Sequence, residues 1–143
     1  MNITLKRVYE KASRTDGTRV LVDRLWPRGL RKNDVALHAW LRELAPSDIL
    51  RQWFHQHRDA CQLFRKRYLK ELAEPAASRA LEELYRLAHG RKRLTLLFAS
   101  KNLRYNNAVV LKELLEGMRK PPTGTGPGAA RSLRSRQAQR MRV

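Results

Sequence analysis

Three short stretches of the chain carry the apolar patterns that are typical of β-strands. Residues 2–8 alternate apolar and polar side chains, which predicts a strand with one face less buried than the other. Residues 18–23 and 93–100 carry continuous apolar runs, which predict strands that are buried on both faces. The pattern therefore predicts a sheet in which the second and third strands are central.

Most of the chain between the second and third strands has helical periodicity. We interpret residues 34–89 as helical, beginning with Ala39, Trp40 and Leu44 near one face and continuing through a helix entry at Pro46 and Ser47. Later apolar residues recur at helical spacing. These are Phe64, Tyr68, Leu72, Leu81, Leu84, Tyr85 and Ala88. Gly90 suits a helix end, and a last helix is predicted over 106–118.

The order strand, strand, helices, strand, helix predicts the fold class. We expect an α/β fold, a small layered domain with a mainly parallel short sheet and flanking helices. The loop of about ten residues between the first two strands is short for a parallel crossover, so the direction of the first strand stays open. The side chains that we expect to be nearly inaccessible are Val20, Val22, Leu96, Phe98, Val110 and Leu114.

Charge separates the chain into a body and a tail. The 143 residues include 31 Lys and Arg against 13 Asp and Glu, for a net charge of +18. Residues 119–143 hold seven of the basic residues and no acid, with three prolines and three glycines. We predict one domain over 1–118 and a disordered basic tail over 119–143. The charge favours an anionic partner, although arginine on a solvated surface would give the same composition.

Several classes of protein are disfavoured by what the chain lacks. The single cysteine, Cys61, rules out a disulfide within the chain. The N-terminus has no apolar signal core, and no stretch approaches a membrane span. We therefore expect a cytoplasmic protein with no membrane partner. No phosphate-loop or dinucleotide motif is present, so no cofactor is predicted, and His55 with His57 are too few to predict a metal site.

Polar residues follow the two central strands directly. Ligands of open α/β sheets gather at the carboxyl ends of strands, and a helix N-terminus there offers free N–H groups. If the two strands are parallel neighbours, their loops form one cleft that binds an anion or a phosphate. The expected binding residues are Arg24, Arg28, Lys101, Asn102 and Asn107. Asp23 would hold an arginine in place, and it is a weaker candidate for proton transfer.

A purely structural interpretation of the same residues is also open. Asp23 and Arg24 could form a buried pair that only shapes the turn, and Trp26 could cover the core. Asn106 or Asn107 could be a helix N-cap.

Five blocks of the sequence resemble a known family. They are LKRVYE, DGTRVLVDRLWPRGLRK, WLRELAPSDILRQWF, FRKRYLKEL and LTLLFASKN with NNAVVLKELL. The blocks occur in order, and the resemblance runs from about residue 3 to residue 115. Together they are similar to the YeaO-like family of small bacterial proteins, a domain of unknown function. The resemblance implies a compact α/β domain and no particular reaction. The family usually has histidine where this chain has Asn107, and an amide cannot act as a general base near pH 7.

Two functional hypotheses follow. In the first, the cleft binds a phosphorylated or nucleotide-like substrate in an enzyme or a former enzyme. In the second, the chain is a nucleic-acid-binding module that uses its basic body and tail without catalysis. A basic helix face formed by Arg65, Lys66, Arg67 and Lys70 would contribute to the second.

Overall fold

The computed structural model describes residues 1–90 and 93–122. These residues form four strands and four α-helices, with three short 3₁₀ turns. The strands are β1 (Ile3–Arg7), β2 (Thr18–Leu21), β3 (Ala39–Trp40) and β4 (Leu94–Phe98). The helices are α1 (Asp48–Gln56), α2 (Cys61–Leu72), α3 (Pro75–Gly90) and α4 (Asn107–Gly117). The predicted tail lies outside the described residues from 123 onward and stays a prediction.

All strands of the sheet are parallel, in the order β1-β4-β2-β3. The α/β fold class is therefore confirmed. β4 lies between the first two strands, with Leu96 in register with Leu5 on one side and Val20 on the other. The short loop after β1 thus does not connect neighbouring strands, and the direction that the sequence left open is parallel.

The helical interpretation of residues 39–44 was wrong. Ala39 and Trp40 form β3, residues 42–44 form a 3₁₀ turn, and the first α-helix begins only at Asp48. The backbone here hydrogen-bonds to β2, since Leu41 N donates to Leu21 O at 2.9 Å. A two-residue strand is too short to show a period of two, so its apolar residues were indistinguishable from a helix face.

By its contacts the chain divides into two units. The first contains Met1–Ala45 and Leu84–Arg119, and so holds the whole sheet and α4. Its core includes the six side chains that the sequence predicted to be inaccessible, and each of them is at most 3% exposed.

The second unit contains Pro46–Glu83, with α1, α2 and the first turns of α3. Phe54 of α1 stacks on Phe64 of α2, with ring centroids 4.1 Å apart. Ser47 caps α1, because its hydroxyl oxygen accepts from Leu50 N at 3.1 Å. The same hydroxyl donates to Glu71 of α2 at 2.7 Å, so one residue begins the helix and joins it to the next. No helix in the described ranges is long and apolar enough to cross a membrane.

Candidate functional site

The loops after β2 and β4 meet at the carboxyl edge of the sheet, as parallel neighbouring strands require. Asp23 makes the connection: one carboxylate oxygen accepts from Ala99 N at 2.8 Å, and the other accepts from the Asn107 side-chain amide at 3.0 Å. The Asn107 amide also donates to Val22 O at 3.0 Å. Asp23 therefore ties the end of β2 to the end of β4 and to the first turn of α4.

The helix N-terminus at this edge is capped by Asn106. Its side-chain oxygen accepts from Val109 N at 3.1 Å, and its amide donates to Asn102 O at 2.9 Å. The Asn102 side chain in turn accepts from Arg104 N and Tyr105 N, so it shapes the turn before α4. Of the two asparagines considered as caps, Asn106 is the N-cap and Asn107 is a buried bridge to β2.

The basic candidates occupy different environments. Arg24 is half-buried, and its guanidinium donates to Ala45 O at 3.1 Å. Its Nε–H group is buried and has no hydrogen-bond partner in the part of the chain that is described. Arg28 and Lys101 are exposed on the two loops. The structure thus places all the predicted binding residues on the two loops and the start of α4, with Arg24 the most enclosed cation among them.

Arg7, the last residue of β1, was not predicted from the sequence. Its guanidinium donates to Ala99 O at 2.8 Å and lies 5.0 Å from the centre of the Tyr9 ring. Its Nε–H group is also buried without a hydrogen-bond partner among the described residues. Ala99 is therefore held on one side by Arg7 and on the other by Asp23. The available signal was a basic residue at the carboxyl end of a predicted strand.

Trp26 and Trp40 fix the β2 loop from one face of the sheet. Their rings meet edge to face with centroids 5.3 Å apart. Trp26 donates to Leu30 O at 2.6 Å, and Trp40 donates to Asp23 O at 2.7 Å. Trp26 also packs against the apolar core around Leu21 and Leu97. Trp26 therefore covers the core, and the two tryptophans together hold the loop that carries Asp23 and Arg24.

A second polar cluster lies away from this edge and was also missed. Asp16, only 5% exposed, accepts from the Lys6 ammonium through both oxygens at 3.1 Å and from the Arg19 guanidinium. Ser13 N donates to the same carboxylate at 2.9 Å. Burial acts to raise the pKa of Asp16, but the hydrogen bonds from Ser13, Lys6 and Arg19 outweigh it, so the pKa lies below its usual value.

Metal binding has no support in the described residues, which contain no group of three or more His, Cys, Asp or Glu arranged to hold an ion. His57 instead stacks on Trp53, with ring centroids 4.7 Å apart. The cationic and amide groups at the sheet edge are suited to anions and offer no set of metal ligands.

The fold and this edge define a small parallel α/β domain whose strand ends are joined by an aspartate and flanked by arginines. The chain belongs to the family described as "Inactive DUF488-N3 subclade", which it matches over residues 2–127. It is 46% identical to the uncharacterized protein YeaO of Escherichia coli over 120 residues, covering 82% of this chain and all of that protein. It is 41% identical over 115 residues to the uncharacterized proteins Rv3073c of Mycobacterium tuberculosis and Mb3100c of Mycobacterium bovis, covering 80% of this chain and 94% of theirs. The expected YeaO-like family is therefore confirmed. No solved structure matches the chain.

Proposed function

We propose that the carboxyl edge of the sheet binds a small anion bearing a phosphate or carboxylate group, and that it does so without acid–base catalysis. The observation that carries the proposal is the buried Nε–H group of Arg24, which has no acceptor among the described residues. A buried donor left unpaired costs about 1–3 kcal/mol. An anionic oxygen would pair with it in a charge-assisted hydrogen bond, which is among the stronger kinds in proteins.

Arg7 supports the same proposal from the other side of β4. Its buried Nε–H group also lacks a partner in the described chain, and one of its terminal amino groups is already fixed by Ala99 O. Arg7 ends β1 and Arg24 follows β2, and these two strands flank β4. Both arginines therefore lie at the carboxyl edge of the sheet. Two partly fixed guanidinium groups give an anion planar donors at little further cost in side-chain entropy.

The exposed charges around this edge would attract an anion before it binds. Arg28, Lys101 and Arg104 are exposed there, and none of them has an ion-pair partner among the described residues. Clustered charge of one sign raises the local concentration of the opposite ion and speeds encounter, in a way that weakens with salt. Asp23 opposes this attraction only in part, because it supplies one negative charge against three exposed cations.

Catalysis is not part of the proposal. Asp23 is engaged in holding Ala99 and Asn107, and the Asn107 amide does not titrate near neutral pH and so cannot act as a general acid or base. The description of the family as inactive supports the same view. We propose a binding domain in the cytoplasm, in which Asp23 positions the loops and the arginines bind the ligand.

The test measures ligand-induced stabilisation of the full chain. Inorganic phosphate, a nucleoside monophosphate and citrate are titrated at matched ionic strength against wild type, Arg24→Lys and Arg7→Lys. A ligand at 100 times its Kd stabilises the native state by about 2.7 kcal/mol, which a thermal shift readily detects. We expect at least one ligand to stabilise wild type and both variants to lose most of that shift. Arg14→Lys is the matched control, because Arg14 is exposed and precedes the start of β2, at the opposite end of that strand from Arg24. Equal shifts for wild type and both edge variants would contradict the proposal.

A further inference from the structure

One face of α2 carries three exposed cations in the second unit. Lys66 and Lys70 are four residues apart and Arg67 and Lys70 are three apart, so the three side chains lie on one side of the helix, with Lys70 between the adjacent Lys66 and Arg67. We name these three residues the α2 stripe. Arg65 does not belong to it, because that side chain is half-buried. The predicted basic helix face is therefore narrower than the sequence indicated.

The α2 stripe has no ion-pair partner in the part of the chain that the structure describes. No carboxylate in the described residues forms an ion pair with Lys66, Arg67 or Lys70. Glu71, the next residue along the helix, accepts from Ser47 through both of its oxygens. Like charges four residues apart destabilise a helix by about 0.2–0.5 kcal/mol. The repulsion between Lys66 and Lys70 thus adds a small cost to folding that no ion pair among the described residues offsets.

Arg67 is held in place by an aromatic side chain from α1. Its guanidinium carbon lies 4.4 Å from the centre of the Trp53 ring, and the same ring stacks with His57. Stacking uses the flat face of a guanidinium and leaves the N–H donors, which lie in its plane, available for an anion. Among the described residues those donors have no acceptor. Arg67 is therefore preorganised for bidentate binding of a phosphate.

We infer that the α2 stripe binds the phosphate backbone of a nucleic acid, without reading its bases. Three cations that have no carboxylate partner among residues 1–90 and 93–122 suit a ligand with closely repeated negative charge. A duplex carries one such charge per about 1.7 Å of its axis. A membrane surface fits less well, because α2 exposes a single large apolar residue, Leu63, where an interfacial helix buries a broad apolar face. This inference concerns a different unit from the anion site and does not depend on it.

The test is the salt dependence of binding by the full chain. Fluorescence anisotropy follows a short labelled duplex and a single strand of equal length through a salt series. Wild type is compared with Lys66→Ala/Lys70→Ala, Arg67→Ala and Arg67→Lys. Removing one cation that binds a phosphate should lower the slope of log K against log salt by about 0.9 on a duplex, or about 0.7 on a single strand. At about 0.1 M salt this corresponds to binding that is weaker by roughly fivefold to tenfold for each cation removed.

Two comparisons make the result specific. The variant Arg14→Ala/Lys32→Ala removes two cations from exposed positions in the first unit, as many as Lys66→Ala/Lys70→Ala removes from the α2 stripe. Its slope of log K against log salt should differ from that of wild type by less than about half of the change expected for one cation. Arg67→Lys keeps the charge but loses the planar guanidinium that stacks on Trp53, so it should weaken binding by less than Arg67→Ala does. The inference is overturned if the stripe and control variants change the slope equally, or if polyglutamate or anionic vesicles compete as well as nucleic acid at equal charge. Arg24→Lys should leave the slope unchanged, so failure of the anion site and failure of the stripe are distinguishable.

Discussion

Asp16→Asn should be the most destabilising polar substitution in the first unit. The carboxylate is the shared partner of Lys6 and Arg19, whose side chains are 16% and 5% exposed. Asparagine keeps the size of the side chain but removes its charge, so two enclosed cations lose their counter-ion. Breaking a buried ion pair in this way typically costs about 3–5 kcal/mol. For a chain of this length that lowers Tm by about 10 °C or more.

The same substitution should change how stability depends on pH. The pKa of Asp16 is lowered in the folded protein because the hydrogen bonds from Ser13, Lys6 and Arg19 outweigh the effect of burial. A lowered pKa means that the stabilisation is complete above the ordinary value of 3.8 and is lost as the pH falls through the folded value. Wild type should therefore lose stability in acid more steeply than Asp16→Asn does.

Urea unfolding between pH 3 and pH 7, followed by circular dichroism, measures both effects. Asp48→Asn is the matched control, because Asp48 pairs with Arg51 at 3.5 Å while both side chains are more than half exposed. Exposed pairs contribute about 0–1 kcal/mol, so this control should stay close to wild type. Two results would refute this prediction. One is a loss of unfolding free energy for Asp16→Asn no larger than that of the control, and the other is a loss of stability at low pH as steep for Asp16→Asn as for wild type.

Two further substitutions test the packing of each unit. Gly17→Ala should cost about 2–3 kcal/mol or more, because Gly17 has a φ of +67° and an added Cβ would lie 2.3 Å from Arg93 O; an unchanged urea midpoint would contradict this. Glu71→Gln should cost about 1–2 kcal/mol, since the carboxylate accepts two hydrogen bonds from Ser47. Glu74→Gln, at an exposed position, is its control, and equal unfolding free energies for the two variants would show that the Ser47 contact does not stabilise the unit.

The elements that could be predicted from the sequence are those whose apolar pattern extends over several residues. The apolar runs that form β2 and β4 are buried on both faces. In a chain of this length a short continuous apolar run has few possible places other than a central strand. Ser47 was identified as a helix entry because capping depends on one residue and its immediate neighbours. β3 was missed because its two residues are fixed by backbone hydrogen bonds to a strand some twenty positions away.

The polar sites show a similar division. The placement of Asp23 and Asn107 at one edge followed from strand order, but their direct hydrogen bond depends on a register that no local pattern encodes. Lys6 and Arg19 each lie within a strand, and nothing near them in sequence indicates that they share one carboxylate. Arg19 places a charge inside a predicted buried strand, directly before its apolar run, and that charge was the signal that could have revealed a buried partner.

The position of β4 in the middle of the sheet governs when the first unit can form during synthesis. β1 pairs with β4, and β2 pairs with β4 and with the two residues of β3. Until residue 98 has left the ribosome, β1 has no neighbouring strand to pair with, and β2 has only the two residues of β3. Such long-range pairing slows folding and leaves apolar strand edges open to wrong partners. The nascent chain should therefore depend on prompt completion, and a pause in translation before β4 would expose β1 and β2 for longer than a pause after it.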